Sequence, residues 1–367
     1  IEAISSRHES IDAAATAIKH IRRRETLRVA MGAVLGTLKL RDVERGITDL
    51  TEAYLRGMLN CVLTFKDAEI AERPVEEILD FAVVAMGRFG GAELGFGSDA
   101  DVMFVHQPQP GVTAEDAQRV AERIINELRR ICVDPVLEFE LDLDLRPEGK
   151  KGAIARTIDS YASYYERWSD TWEAQALLRA RVIAGSEQLR AAFTQLIDKY
   201  RYPQNLSSTA ILEVRRIKAR VETERLPQGA DPKRHLKLGR GSLSDVEWLV
   251  QLLQLQHGAA HPSIRTPATL EALNNAVAAG LIDREDATTL AEAWLLASRA
   301  RSASVLWANK RTDVLPSDRR QLEGMARILE YPAGSAYAPA FSMIRPPPAG
   351  SAASAAVNNA ESSVPPG

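Results

Sequence analysis

Two aspartates, Asp99 and Asp101, follow the most glycine-rich stretch of the chain, and residues of this type and spacing could hold a metal ion. Apolar segments at 81–86 and 102–105 flank the stretch and predict two short buried strands. Side chains two positions apart on a strand share one face, so a divalent cation such as Mg²⁺ would relieve the repulsion between the carboxylates. Backbone N–H groups of a glycine-rich loop can bind phosphate oxygens. The pattern predicts a metal and nucleotide site, with a tight surface turn as the alternative. The glycines are Gly87, Gly90, Gly91, Gly95 and Gly97.

A second acidic segment favours the metal site over the surface turn. Residues 137–147 alternate between apolar and charged side chains, which predicts a strand with one buried and one polar face. An edge strand usually mixes its charges, so three successive acids on one face indicate a cation nearby. A guanidinium matches the geometry of a phosphate, and the glycine-rich loop offers Arg88 for that contact. The predicted polar face carries Glu140, Asp142, Asp144 and Arg146.

Composition limits the class of protein. A length of 367 residues predicts two to three domains, and a net charge of −3 argues against a nucleic-acid-binding polymerase. No apolar run approaches the roughly 20 residues that a membrane span needs. Two cysteines suit a reducing compartment, so we expect a cytoplasmic protein. From the net charge and the lack of a long apolar run, we expect neither a nucleic-acid nor a membrane partner. The chain starts at Ile1 rather than at a methionine, as expected of a fragment.

The pattern along the chain predicts four segments. Residues 1–79 are predicted to form an N-terminal helical segment, with Arg22-Arg23-Arg24 on a solvated helix face. Residues 80–157 are predicted to form an α+β catalytic domain that holds both acidic segments. Residues 158–332 are predicted to be helical throughout. Residues 333–367 are rich in proline, alanine and serine, and we expect a disordered tail.

Several motifs together resemble a known enzyme family. The glycine-rich segment and the Asp-x-x-x-Arg-Pro strand that follows it resemble the nucleotidyltransferase fold shared with DNA polymerase beta. More closely, they resemble glutamine-synthetase adenylyltransferase, the adenylyltransferase/deadenylylase family, and this resemblance covers roughly residues 10–335. One position departs from the family pattern Asp-x-Arg-Leu-Arg-Pro, because Asp144 stands where the first arginine is usual. The supporting motifs are Gly90-Gly91-x-Glu93-Leu94-x-x-x-Ser98-Asp99-x-Asp101, Trp172-Glu173-x-Gln175-Ala176-Leu177-x-Arg179, Lys237-Leu238-Gly239-Arg240-Gly241 and Asp245-Val246-Glu247-Trp248.

The resemblance implies a fold and a reaction. The fold would be a polymerase-beta-like nucleotidyltransferase domain, a small mixed sheet with helices, followed by an all-helical bundle domain. The reaction would be magnesium-dependent transfer of AMP from ATP to a tyrosine hydroxyl of glutamine synthetase, with release of pyrophosphate. Glutamine synthetase would be the protein substrate of this chain. The PII signalling protein and the family's other half would be further partners.

The resemblance also assigns roles to individual residues. Asp99, Asp101 and Asp142 would hold two Mg²⁺ ions, and Asp144 remains an alternative to Asp142 as the third ligand. The nucleotide phosphates would be bound by Gly90, Gly91, Ser98, Arg88 and Arg146.

Two alternatives to AMP attachment stay open. Family members contain one half that attaches AMP and one that removes it, and the motifs at 172–177 and 245–248 resemble the attaching, C-terminal half. The first alternative is the deadenylylating half, which is phosphorolytic on the same fold. The second is a regulatory module that binds nucleotide or a partner without catalysis.

Overall fold

The structure is a computed structural model that describes residue 4 and residues 7–65, 70–71, 73–168 and 171–331. It divides into two compact units, Ile1–Pro203 and Gln204–Gly367. The predicted tail at 333–367 lies outside the described residues.

The first unit is built on a small mixed sheet, which confirms the α+β class. The strands are β1 (Leu79–Ala85), β2 (Ala100–Pro108), β3 (Leu141–Asp142), β4 (Arg156–Thr157) and β5 (Arg181–Ala184). Their spatial order is β3-β2-β1-β5, and β4 also pairs with β2. Strand β2 is antiparallel to β1 and parallel to β3 and β4, whereas β5 is antiparallel to β1.

The two central strands form where the apolar segments predict them. Residues 81–85 of β1 and 102–105 of β2 are buried, so both faces of this part of the sheet are covered. Phe81 stacks on Phe104 across the two strands with ring centroids 5.6 Å apart. Asp101 lies on β2 of this central hairpin and Asp99 lies directly before it, so the hairpin positions both predicted aspartates.

Helices cover the sheet of the first unit. The helices are α1 (Ile11–Val34), α2 (Leu40–Phe65), the short α3 (Gly87–Gly90), α4 (Ala114–Cys132), α5 (Ile158–Trp168), α6 (Thr171–Leu177) and α7 (Glu187–Arg201). The hydroxyl of Thr113 caps α4 by accepting the backbone N–H of Asp116, and the helix then buries one apolar stripe. Helix α1 packs against α2, and α2 packs against α4.

The prediction of helix throughout 158–332 is wrong at β5. Residues 182–184 are a short buried run that pairs with β1, and Gly185 follows with a positive φ of 117°. A run of four residues carries too little periodicity to reveal a strand, and the pairing with β1 decides its conformation. The first compact unit therefore extends to Pro203, well past the boundary expected at residue 157.

Arg22 departs from the prediction of a solvated arginine face on α1. It is 9% exposed, and its guanidinium donates to the carbonyl oxygens of Leu137 (2.8 Å) and Glu138 (3.0 Å). It also lies 3.5 Å from the Asp134 carboxylate, whereas Arg24 remains on the surface. Helix α1 thus holds the backbone that leads into β3.

Replacing Arg22 by leucine is expected to lower the free energy of unfolding by about 3 kcal/mol, because the buried Asp134 carboxylate would lose a charged partner and two carbonyls would lose their donors. Chemical denaturation measures this change. The control is Arg24→Leu, whose ion pair with Glu25 is exposed and which should change stability by less than about 1 kcal/mol. Equal effects of the two substitutions would contradict the buried role of Arg22.

The described part of the second unit is helical, apart from an isolated bridge between His235 and Val314. One cluster of its core contains Leu236, Leu315 and Met325. Within the ranges that the structure describes, none of the helices has the length and hydrophobicity of a membrane span. The helices are α8 (Ser208–Glu224), α9 (Leu243–His257), α10 (Thr269–Ala278), α11 (Arg284–Ala308) and α12 (Arg319–Ile328).

Candidate active site

Two of the predicted metal ligands are register partners on neighbouring strands. Asp101 on β2 stands beside Asp142 on the parallel strand β3. Neighbouring strands lie about 4.8 Å apart, and partner residues project from the same face. The N–H of Ala100 donates to the Glu140 carbonyl oxygen (3.0 Å) and starts this pairing. Asp99 lies just before β2 and is exposed. The fold therefore brings together carboxylates that are about forty positions apart in sequence.

The carboxylates supply the donor chemistry that Mg²⁺ prefers, because hard oxygen ligands suit this cation. Asp101 is half-buried and Asp142 is half-buried, so both remain accessible from solvent. Within the described part of the chain, no three side chains of the histidine, cysteine, aspartate and glutamate types are grouped closely enough to hold a metal ion. The residue types and the strand register fit the ion, and the carboxylates would have to converge to bind it.

The acidic segment is not the long alternating strand that the sequence predicts. Strand β3 ends at Asp142, whose Oδ1 accepts the backbone N–H of Asp144 (2.7 Å) and starts a turn. The carboxylate of Asp144 pairs instead with the Lys150 ammonium group (3.2 Å). Asp142 and Asp144 therefore have different roles in the structure, although the alternating pattern places them on one polar face.

Arg146 lies inside the turn that follows β3. Its guanidinium donates to the carbonyl oxygens of Leu143 (2.7 Å), Gly152 (3.0 Å) and Lys150 (3.1 Å), and the residue is 7% exposed. These three hydrogen bonds orient the guanidinium towards the backbone of the turn. Arg146 thereby shapes one wall of the site.

A cavity of about 310 Å³ opens beside the acidic turn. Glu140, Asp142 and Asp144 contribute acidic groups to its lining, and Arg129 and Lys150 contribute cationic ones. A polar lining of both signs suits a charged ligand rather than an apolar one.

The glycine-rich loop begins with a close contact to Asp101. Gly87 has a φ of 51°, and a side chain there would overlap the Asp101 carboxylate. The N–H of Met86 also donates to the Asp101 carbonyl oxygen (2.8 Å). Only glycine combines this backbone conformation with such a close approach. Gly87 therefore seats the Asp101 side chain.

The other predicted loop residues have internal contacts. A side chain at Gly90 would overlap the carbonyl oxygen of Arg179, so close packing within the chain accounts for this glycine. The N–H of Gly91 donates to the Gly87 carbonyl oxygen (3.1 Å) and closes the short helix α3. The hydroxyl of Ser98 accepts the N–H of Gly95 (3.1 Å) and stabilises the turn before Asp99.

A buried ionic network attaches this loop to α2. Arg88 contacts the Glu44 carboxylate (3.1 Å) and donates to the carbonyl oxygen of Glu93 (2.8 Å). Arg179 forms an ion pair with the fully buried Glu93 carboxylate. The sequence does not identify Glu44 as part of the site, since an acid on an amphipathic helix resembles a surface residue. The signal that could have found it is its position on the face of α2 that also carries Ile47 and Thr51, at helical spacing.

Burial raises the pKa of Glu44 to about 8 against the opposing attraction of Arg88, while the Glu93 carboxylate raises it further and Arg41 lowers it. Between the ordinary pKa of 4.5 and the folded pKa of about 8, the Glu44 carboxyl is therefore protonated in the folded protein and ionised in the unfolded chain. The contribution of Glu44 to the free energy of unfolding is fully present below pH 4.5 and is lost as the pH rises through the folded pKa.

We expect the free energy of unfolding to decrease between about pH 5 and pH 8 by up to about 1.4 kcal/mol per pH unit, relative to Glu44→Gln. Urea denaturation across this range measures the difference between the two proteins. Glu115→Gln, which removes an exposed acid, is the control. A constant difference between Glu44→Gln and the unmodified protein would show that Glu44 is already ionised at pH 5.

The mixed sheet, the glycine-rich loop and the paired aspartates are consistent with a nucleotidyltransferase-like domain. Residues 1–196 match the model of the glutamate-ammonia ligase adenylyltransferase family, and the chain belongs to this family. Residues 215–345 match a second model, that of GlnD PII-uridylyltransferase.

Several known proteins are similar to this chain over most of its length. The chain is 54% identical over 334 residues, or 91% of its length, to a bifunctional glutamine synthetase adenylyltransferase/adenylyl-removing enzyme of Leifsonia xyli. Enzymes of the same name from Streptomyces avermitilis and Mycobacterium leprae are 48% and 45% identical over 88% and 89% of the chain. The chain spans about a third of the length of these relatives, because the matches cover 32–33% of them.

Proposed function

We propose that this chain transfers AMP from ATP to a tyrosine hydroxyl of glutamine synthetase and releases pyrophosphate. The observation that carries this proposal is the register of β2 and β3, which places Asp101 beside Asp142 next to a glycine-rich loop. Support comes from the relatives, whose names describe attachment and removal of adenylyl groups on glutamine synthetase.

Asp99, Asp101 and Asp142 are proposed to hold two Mg²⁺ ions. When bound, the ions would neutralise charge on the triphosphate and on the departing pyrophosphate. Gly87 supports this assignment because it seats the Asp101 carboxylate, and the turn at Asp144 supports it because it fixes one oxygen of Asp142.

The loop residues are proposed to act in two groups. Gly90, Gly91 and Ser98 belong to the segment that leads to Asp99 and would lie beside the phosphates. The resemblance assigns Arg88 and Arg146 to the phosphates, but their guanidinium groups contact Glu44, the Glu93 carbonyl and the carbonyls of the turn. We therefore propose that both arginines support the loop and the turn rather than bind the phosphates directly.

The chemical step is an in-line displacement at the α-phosphorus of ATP. The tyrosine oxygen of glutamine synthetase forms the new bond as the bond to the pyrophosphate oxygen breaks. A phenol has a pKa of about 10, so its proton must be removed at neutral pH. One of the carboxylates of Asp99, Asp101 and Asp142 can accept that proton when the tyrosine approaches.

The adenylylating direction is proposed from the motifs at 172–177 and 245–248. The first of these lies on α6, where Glu173 is buried and accepts a hydrogen bond from the Tyr164 hydroxyl (2.8 Å). The match to a PII-uridylyltransferase model supports the PII signalling protein as a regulatory partner, and the length of the relatives supports the family's other half as another. Glutamine synthetase as substrate would place the reaction in the cytoplasm.

One pair of incubations tests the direction. The chain is mixed with unmodified glutamine synthetase, Mg²⁺ and α-labelled ATP, and separately with adenylylated glutamine synthetase and phosphate. We expect protein-bound label in the first mixture and little release of ADP in the second. ADP release without labelling would identify the deadenylylating half. Nucleotide binding with neither reaction would identify a regulatory module.

A further inference from the structure

The segment that follows α6 packs directly against the glycine-rich loop. The carbonyl oxygen of Arg179 occupies the space that a side chain at Gly90 would fill. Two residues later, the guanidinium of Arg181 donates to the Gly90 carbonyl oxygen (3.2 Å) and pairs with Glu52 of α2 (2.7 Å). The loop is therefore confined on one side by the residues that lead into β5.

The side chain of Arg179 holds the same loop at a second point. It forms an ion pair with Glu93, whose side chain is fully buried, and Arg179 itself is 5% exposed. Glu93 in turn closes the loop, because its N–H donates to the Arg88 carbonyl oxygen (2.9 Å). Arg179 thus contacts the loop through its backbone at Gly90 and through its guanidinium at Glu93.

These contacts reach Asp101 through one turn of helix. Gly90 ends the four-residue helix α3, and Gly87 begins it. The N–H of Gly91 bonds to the Gly87 carbonyl oxygen, so a displacement at Gly90 or Gly91 shifts Gly87 as well. Because Gly87 lies against the Asp101 carboxylate, such a shift would change the seat of a proposed metal ligand.

We propose that Arg179 is a positioning residue, which fixes the glycine-rich loop against Glu93 and thereby sets the position of Asp101 for AMP transfer. This inference rests on the proposed function. A displacement of about 1 Å in a catalytic group can lower a rate about a hundredfold, so an arginine distant from the substrate can control turnover. A buried ion pair that serves stability alone would have no such effect once the fold is intact.

The test separates positioning from stability with three variants. Arg179→Met removes a cationic partner of the buried Glu93 carboxylate, so the stability of this variant is expected to fall. The double variant Glu93→Gln/Arg179→Met removes both charges and keeps similar volumes. Arg179→Lys keeps the charge and loses the planar guanidinium that matches a carboxylate. Arg301→Met makes the same substitution at a partly exposed ion pair with Asp313 in the second unit, and it is the control for loss of an arginine away from the loop.

Three quantities are measured on the full chain: the melting temperature, kcat and KM for ATP in the labelling reaction, and hydrogen exchange of residues 87–98. For the double variant we expect a melting temperature near that of the unmodified protein, kcat lowered about a hundredfold with little change in KM, and faster exchange in residues 87–98. Arg179→Lys should recover part of kcat. The Arg301→Met control should leave exchange in residues 87–98 unchanged.

Recovery of both stability and kcat in the double variant would overturn the proposal, and so would unchanged exchange in residues 87–98. Absence of labelling by the unmodified chain would overturn the proposed function, and with it the catalytic part of this inference. Hydrogen exchange does not depend on AMP transfer, so it still decides whether Arg179 fixes the loop. The two failures are therefore distinguishable.

Discussion

Asp101→Asn is expected to lower the rate of AMP transfer about a thousandfold while the fold remains intact. The substitution removes one negative charge from the pair formed with Asp142 and keeps the shape of the side chain. Loss of a metal-ligating charge costs several kcal/mol of transition-state stabilisation, and each 1.4 kcal/mol is a factor of ten in rate. Asp99→Asn should have an effect of the same order. Incorporation of α-labelled AMP into glutamine synthetase measures both.

The control for this prediction is the melting temperature in the absence of nucleotide. It should not fall in either variant, because loss of one of two neighbouring carboxylates relieves repulsion. Transfer at an undiminished rate in both variants would rule out the metal assignment and favour the non-catalytic module.

Asp142→Asn is expected to be about as damaging as Asp101→Asn, whereas Asp144→Asn should lower transfer by less than about tenfold. Asp142 is the register partner of Asp101, whereas Asp144 lies in the turn after β3 and pairs with Lys150. Asparagine is the sharper substitution at residue 142, because its side-chain oxygen still accepts the N–H of Asp144 and preserves the turn. Side-by-side labelling rates at saturating ATP measure the comparison.

Asp144→Asn is also the matched control for Asp142→Asn, since both remove one carboxylate from the same cavity lining. A larger loss at residue 144 than at 142 would mean that the third ligand is Asp144. The register of β2 and β3 would then not describe the active arrangement.

Much of the mixed sheet of the first unit can be predicted from the sequence. Apolar runs bounded by glycine and charged residues indicate β1 and β2, and the capping pattern at Thr113 indicates the start of α4. The glycine-rich loop between two strands follows from the same local signals. These elements are short-range features, and the structure confirms them.

The remaining features depend on partners far away in the chain. Residues of β5 adopt a strand because they pair with the edge of β1, whereas a run of four residues is too short to show a periodic pattern. Arg22 resembles a surface residue until the carbonyls of Leu137 and Glu138, more than a hundred positions later, accept its hydrogen bonds. The alternating acidic segment ends as a strand at Asp142 because a side-chain hydrogen bond to Asp144 competes with the ladder. Local periodicity contains none of this information.

One measurement tests most directly the claim that this site transfers AMP. The chain is incubated with glutamine synthetase, Mg²⁺ and ATP labelled either at the α-phosphorus or at the γ-phosphorus, in parallel with Asp101→Asn. We predict that α-label becomes bound to a tyrosine of glutamine synthetase, that γ-label leaves as pyrophosphate, and that both processes are about a thousandfold slower with the variant. Protein-bound γ-label, or no protein-bound label with the unmodified chain, would contradict the proposal.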